Sequence, residues 1–309
     1  MNFFVYCNPV KSYQILLFFG LVSIFSLFAY GIDAGSHHTY NIYYHHIVSN
    51  PNKFLGTPLE LILVSKGIKL FNVGLASVIL NPIGVVVMAI LCNTVILFVS
   101  YQIARVFLED TYAFALVIIL GLVANSPLAG FHDNELMFTR KTVTVVLVLT
   151  SFLCYFRERY IVAGMIAAGA LFLHPTNALS ALLFFIPGFA FYVYRTRIEK
   201  MRALVFGLSA PLSVIGLTYI SSQDLAQSTL HVSVTEWYRY SLLLEADDVT
   251  MAWKLREGAP HLVPLLIFSF VISILYAFKR GTRGNNALSW ICIAQLPIVL
   301  LILALETIQ

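Results

Sequence analysis

Charge is what this sequence has least of. Only 11% of its 309 residues are Asp, Glu, Lys or Arg, while 59% are hydrophobic; a soluble globular domain carries about a quarter charged residues. That shortage excludes an ordinary soluble fold. Cysteine is scarce as well. Cys7 precedes the first apolar run, and Cys92, Cys154 and Cys292 lie inside apolar runs. Neither a disulfide framework nor a zinc-ligand spacing follows from them, and they read as packing residues. The period-two alternation of an outer-membrane barrel is missing. So are internal repeats and low-complexity segments. The net charge of +4 resides on basic residues in short loops between apolar runs, which is no nucleic-acid footprint.

What the chain does have is apolar runs long enough to cross a hydrocarbon core, roughly 17–25 residues each. Nine spans are expected, at 12–30, 82–103, 112–128, 142–156, 160–174, 178–194, 203–221, 262–278 and 287–305. The fold class is therefore all-α, a polytopic transmembrane helix bundle forming a single transmembrane domain over 1–309. The first run is long and lacks a cleavage signature, so it reads as a retained signal anchor.

The basic residues between spans fix the orientation. Lys11, Arg105, Arg157, Arg159, Arg195, Arg197, Lys200, Arg202, Lys279, Arg280 and Arg283 share one side when the N-terminus is inside. Eleven basic residues then face four acidic ones, Glu109, Asp110, Glu158 and Glu199. The opposite side holds eight basic residues, eleven acidic ones and all eight histidines. By the positive-inside rule the N-terminus is cytoplasmic and the C-terminus outside. The expected location is a bacterial inner (plasma) membrane, multi-pass, with the long loops extracytoplasmic.

The stretch 58–80 is apolar enough to suggest another span, but Lys66 and Lys69 lie near its middle. Each would cost about 2.5–3.5 kcal/mol at a bilayer centre. At 100° per residue, Ser65, Lys66, Lys69 and Asn72 gather on one face, with Leu63, Val64, Ile68 and Phe71 opposite. Thr57-Pro58-Leu59-Glu60 forms a capping box with proline at the first helical position. The pattern predicts an amphipathic helix over 58–72 lying on the outer interface. A second short helix is expected near 36–48. Both belong to a first outer loop, 31–81. The other outer pieces are 129–141, the turn His174-Pro175-Thr176-Asn177, and a long loop at 222–261.

Residues able to carry chemistry concentrate on this outer side. Asp33 lies just beyond the first span, where a carboxylate can act as a general base if its surroundings tune it; capping the next helix or facing water is the plainer role. His37, His38, His45 and His46 suggest a metal site, but His38 and His45 are about 10 Å apart along a helix axis. Helical zinc ligands come at i and i+4, so the spacing argues against a site within that helix. His132, Asp133 and Glu135 supply further polar groups, and Arg140 and Lys141 follow at the height of a lipid phosphate. His174 closes a short span and faces either a cavity or the helix end. No expected span carries an ionisable residue away from its ends. Ion-coupled transporters place such groups near the midplane, so the absence disfavours transport.

This layout resembles the GT-C class of integral-membrane glycosyltransferases, and most of all an uncharacterised bacterial branch of GT-C-like proteins. In that class the first outer loop carries two interfacial helices, with a catalytic carboxylate soon after the first span; Asp33 and the helices near 36–48 and 58–72 match that plan. The run Ser49-Asn50-Pro51-Asn52-Lys53-Phe54-Leu55-Gly56-Thr57-Pro58-Leu59 is similar to that branch's "dP-x-lfpgDpl" pattern, departing from it at both acidic positions, Asn50 and Thr57. Phe138-Thr139-Arg140-Lys141, the short basic loop Arg157–Arg159, and Leu171-Phe172-Leu173-His174-Pro175-Thr176-Asn177 match its central block. The likeness covers about residues 12–200. Members of the branch run longer, so the chain reads as a short variant or one that continues past its ninth span.

The resemblance implies transfer of a sugar from a polyprenyl-phosphate-linked donor to a lipid or glycan acceptor at the outer face. Asp33 would be the general base, and Asp133, with Glu135, would position the acceptor or a divalent cation. His37 and His38 would contact substrate, while Arg140, His174 and Arg239 would neutralise the donor phosphate. The implied partners are membrane lipid and the lipid-linked donor, with no nucleic acid. Two other classes remain open: a non-catalytic membrane subunit of an envelope assembly with membrane-protein partners, and a transporter or flippase of lipid-linked or small polar solutes.

Overall fold

The computed structural model describes residues 9–30, 34–55, 63, 65–106, 108–123, 138–174 and 198–226. Over these residues the chain is all-α, with no strand. The helices are α1 (Pro9–Tyr30), α2 (Ala34–Ser49), α3 (Lys66–Gly74), α4 (Ala76–Ile79), α5 (Pro82–Ala104), α6 (Asp110–Val123), α7 (Arg140–Phe156), α8 (Tyr160–Leu173) and α9 (Ile198–Ala226), with a 3-10 turn at Pro51–Lys53. Helix α5 and the segment Ile198–Leu217 of α9 are long and apolar enough to cross a membrane. Ser12–Phe28 of α1 and the whole of α8 are shorter apolar helices.

Helix α5 shows why a sequence this apolar still folds with two faces. Val85, Ala89 and Cys92 are buried against neighbours, while Ile83, Val87 and Leu91 are exposed at i, i+4 and i+8. A helix that is apolar all round belongs in a core or in lipid. Asn81 starts it by accepting from the Ile83 and Gly84 amides at 3.0 and 3.4 Å, with Pro82 in the first turn, the residue order a helix N-terminus favours.

The long described helices run in one direction or the other between two ends of the bundle. Helix α1 packs antiparallel on α5, with Phe19 against Leu97 and Tyr101. Further along that seam Asn93 Nδ2 donates to Ser23 Oγ at 3.1 Å, and Ser23 Oγ donates to the Phe19 carbonyl at 2.9 Å. Small polar residues of this kind bind helices together in an apolar setting. Helix α7 runs parallel to α5: Phe138 and Val143 pack near Val85 and Ala89 at one end, and Arg157 donates to Gln102 Oε1 at 2.9 Å at the other.

Helices α7 and α8 form a tight antiparallel hairpin. The Glu158 amide donates to the Tyr155 carbonyl at 2.9 Å, and the Arg159 amide to the Cys154 carbonyl at 2.8 Å. Those two bonds are a Schellman C-cap, whose turning residue takes positive φ and is usually glycine. Here it is Glu158, with φ of 60°, and its carboxylate pairs with Lys200 of α9. Helix α9 runs parallel to α8 and crosses it through two glycines. A Cβ on Gly164 would stand 1.7 Å from the Gly207 carbonyl oxygen, and one on Gly207 would stand 2.3 Å from the Tyr160 carbonyl oxygen. Pro211, four residues after Gly207, has no N–H to offer that carbonyl.

Two boundaries differ from the sequence reading. Helix α9 runs from Ile198 to Ala226, beyond the expected 203–221 at both ends, so residues 222–226 of the expected outer loop are helical. The amphipathic segment is also not one continuous helix over 58–72: Ser65 is extended, with ψ of 100°, and α3 starts after it. Its side chain accepts from the Ile68 amide at 3.3 Å, and this local cap competes with helix continuation. The capping box 57–60 and the expected spans 178–194, 262–278 and 287–305 lie outside the described residues.

The glycine crossing gives a direct test. Gly164→Val and Gly207→Val should each lower thermal stability by about 1–3 kcal/mol, the usual cost of overpacking. Gly169→Ala, with nothing within 4 Å of its added Cβ, should not. Thermal unfolding in detergent measures both, and equal behaviour of all three variants would exclude the close crossing.

Candidate functional site

The polar residues of the loop helices meet the bundle where α3 rests on the end of α8. Gly67 makes this approach possible, since a Cβ there would lie 2.3 Å from the Phe172 carbonyl oxygen and 2.6 Å from that of Leu173. The last carbonyls of a helix lack intrahelical donors. The positive N-terminus of α3 is thus set against the negative C-terminus of α8, a favourable pairing of dipoles.

The same contact places Ser65 beside the start of α7. Arg140, the first residue of α7, donates from Nη1 to Ser65 Oγ at 3.3 Å. Thr139 caps α7 by accepting from the Thr142 amide at 3.3 Å. Two capped helix N-termini therefore meet across one arginine–serine hydrogen bond. Helix α2 lies along this junction: Asn41, buried, donates from Nδ2 to the Phe138 carbonyl at 3.0 Å. Below it the rings of Phe71 and Phe138 pack with centroids 5.6 Å apart.

His45 ties α2 to α3. Its Nδ1 lies 3.3 Å from the Asn72 backbone carbonyl, an acceptor only, so Nδ1 carries the proton. Nε2 then accepts from Ser49 Oγ, 3.3 Å away. Asn72 was expected on the polar face of its helix beside Lys66 and Lys69. It is buried instead, donating to the Ile68 carbonyl at 3.0 Å, and its Oδ1 meets no hydrogen-bond partner.

His174 follows the last helical residue of α8 and is buried at 9% exposure. Its amide donates to the Ala170 carbonyl at 2.9 Å. Burial, then the charges of Arg140 and Lys141, push its imidazole pKa down to about 4, opposed by a hydrogen bond to its own backbone. At neutral pH it is uncharged. Arg140 is half-buried; burial lowers its pKa and the neighbouring Tyr44 opposes that. A guanidinium remains protonated throughout. The junction thus offers a fixed cation on Arg140, a second cation on Lys141, the N-terminus of α7, which favours anions, and a neutral imidazole. It is suited to holding an oxyanion.

Of the residues singled out from sequence, Arg140 and His174 come together here. His37 and His38 lie on α2, with side chains outside the described ones. Asp33, Asp133, Glu135 and Arg239 lie outside the described residues. Among the described residues, no three His, Cys, Asp or Glu side chains gather as metal ligands. The sequence reading did not count Asn41, Tyr44 or Ser65 among the site residues, and it argued against His45 as a metal ligand within its helix. One signal was available, because Asn41 and His45 stand at i and i+4 and so share a helix face. Compared with known proteins, the chain matches no family model, and no curated protein or solved structure is significantly similar to it.

Two outcomes follow from this geometry. Gly67→Ala should lift α3 from α8, lowering thermal stability by about 1–3 kcal/mol and speeding hydrogen exchange of the first-turn amides of α3. Unchanged exchange would show that the contact does not hold the helix. The second concerns acid. The folded value of His174 lies below its ordinary value of about 6.5, so the unfolded chain takes up the proton first as pH falls. Its contribution to stability is therefore complete above pH 6.5 and lost as pH drops towards 4. Melting curves between pH 7 and 4 should show less acid destabilisation for His174→Gln than for wild type, and parallel curves would contradict burial of a neutral imidazole.

Proposed function

We propose that the chain is a nine-span membrane protein of a bacterial inner membrane and a GT-C-like glycosyltransferase. It moves a sugar from a polyprenyl-phosphate-linked donor to a lipid or glycan acceptor at the outer face. The observation that carries this reading is the junction of Arg140, Ser65 and His174, a cationic, proton-poor site at the end of an apolar bundle. A lipid-linked donor has the matching form, with a phosphate at the membrane boundary and a chain in the hydrocarbon.

Further features support the reading. Apart from the short interfacial α3, the described helices carry Asp, Glu, Lys or Arg only near their ends, which favours an end-on site over transport through the midplane. Arg105, Arg157, Arg159, Lys200 and Arg202 belong to the end opposite His174, in keeping with a cytoplasmic face there. Helices α8 and α9 run in the same direction, as a returning span over 178–194 requires.

In this mechanism Asp33 takes the proton from the acceptor hydroxyl as its oxygen bonds to the anomeric carbon. The bond from that carbon to the phosphate oxygen breaks, and its electron pair leaves with the phosphate. Arg140, with Arg239, meets the growing negative charge, the kind of stabilisation that accelerates such steps most. Neutral His174 donates or accepts a hydrogen bond at the phosphate, and His37 and His38 contact substrate. Asp133 and Glu135 orient the acceptor, directly or through a divalent cation.

The test uses purified protein in nanodiscs with a labelled polyprenyl-phosphate sugar. Arg140→Ala should weaken donor binding about ten- to a hundredfold, since hydrogen bonds to charged groups contribute about 1.5–3 kcal/mol. Asp33→Asn should retain binding and abolish transfer. Full transfer by Asp33→Asn would reject the base. Donor binding without turnover in wild type would point to the subunit, and movement of unaltered lipid across the bilayer to the flippase.

A further inference from the structure

The face of α3 turned away from the bundle has an ordered composition. Lys66, Lys69, Leu70 and Val73 follow at i, i+3, i+4 and i+7, which places them along one stripe of the helix. All four are exposed, Leu70 at 55% and Val73 at 64%. Gly67, Ile68, Phe71 and Asn72 fill the opposite, buried face. The stripe is cationic at its start and apolar at its end, a change spread over about 10 Å of helix axis. Leu80 and Ile83, around the start of α5, are exposed apolar residues as well. Neither lysine forms an ion pair with a described residue.

A surface that only covered acyl chains would not begin with two lysines. One that only faced water would not leave Leu70 and Val73 bare. The two halves together fit a molecule with a negative head and an apolar body. Lysine suits this role, as a compact charge on a flexible stem that buries its methylenes while the ammonium reaches a phosphate. We infer that this stripe of α3 binds an anionic phospholipid of the surrounding bilayer, its phosphate at Lys66 and Lys69 and its acyl chains along Leu70 and Val73. The inference rests on the membrane placement proposed above but not on the transfer reaction. Arg140, turned to Ser65, is not part of it.

The charge term sets the scale. A lysine near an anionic membrane surface contributes about fivefold in binding, and salt screens it. The probe is a tryptophan at Val73, in full-length protein reconstituted into vesicles of phosphatidylcholine with brominated phosphatidylglycerol or brominated phosphatidylcholine. The unsubstituted chain supplies the background from its own tryptophans. Phosphatidylglycerol should quench Val73→Trp more strongly than phosphatidylcholine. That preference should fall at least fivefold when Lys66→Gln and Lys69→Gln are added, and should weaken in high salt. Equal quenching by the two lipids, or a preference indifferent to both lysines, would overturn the anionic site while leaving membrane placement intact. No quenching by either lipid would overturn both, and would mean that water or a protein partner covers the stripe.

Discussion

The approach of Gly67 to the carbonyl end of α8 is the constraint from which the polar end of this protein follows. A helix ending in an apolar bundle leaves its last carbonyls without donors. In this chain the first turn of a second helix is set against those of Phe172 and Leu173. That arrangement requires the chain to stop being helical just before α3, and Ser65 provides both the break and the cap. It also requires a residue without a side chain two positions later. With α3 held there, the cap oxygen of Ser65 comes within reach of Arg140, and the Asn72 carbonyl within reach of His45. Each polar contact is weak alone. They form together because one glycine allows one close approach.

The opposite end of the bundle is organised differently. Arg105 pairs with Asp110, Lys200 with Glu158, and Arg157 donates to Gln102. Exposed ion pairs contribute little to stability, about 0–1 kcal/mol each, so their value here is local. They close the α5–α6 turn, join the end of α7 to α5, and tie α9 to the α7–α8 turn. Arg105 and Lys200 at that end have carboxylate partners and Arg157 an amide, whereas Arg140 has a hydroxyl. A cation facing a neutral acceptor keeps more of its field available than one already paired with a carboxylate. The difference between the two ends is thus one of commitment as well as of composition.

Much of the helical frame was legible because the apolar runs are long and the punctuation between them is clear. Helix α5, Pro82–Ala104, matches the expected span 82–103 to within a residue, and α8, Tyr160–Leu173, matches 160–174 as closely. The ends of α9 were misjudged because Glu199, Lys200 and Arg202 at one end, and Gln223 and Asp224 at the other, are too polar for a span, though nothing in them stops a helix. Hydropathy reports where a chain can lie in lipid, and helix propensity reports how far the coil continues. The break at Ser65 was missed for a related reason, since periodicity averages over a window and one residue's capping bond is invisible to it. The junction itself could be read only in part. Arg140 and His174 were selected by residue type, but Ser65 and Arg140 are 75 positions apart and Asn41 and Phe138 are 97 apart. No local pattern encodes such a pair.

The protonation of His174 connects the fold to the chemistry proposed for it. Burial does most to keep His174 neutral, and the cations Arg140 and Lys141 act in the same direction against a hydrogen bond to its own backbone. An imidazole in such a place cannot compete with an arriving anion's own positive partners, nor lend its own charge to hold that anion. It can still donate one hydrogen bond and accept another, according to which ring nitrogen carries the proton. An anion drawn to Arg140 would cancel part of the field that keeps His174 neutral, and so would raise its affinity for a proton. Binding and proton uptake are then coupled by geometry, and the coupling grows with the negative charge the ligand brings. For a leaving phosphate, whose charge rises as its bond to sugar breaks, His174 would become a better proton carrier as that charge develops.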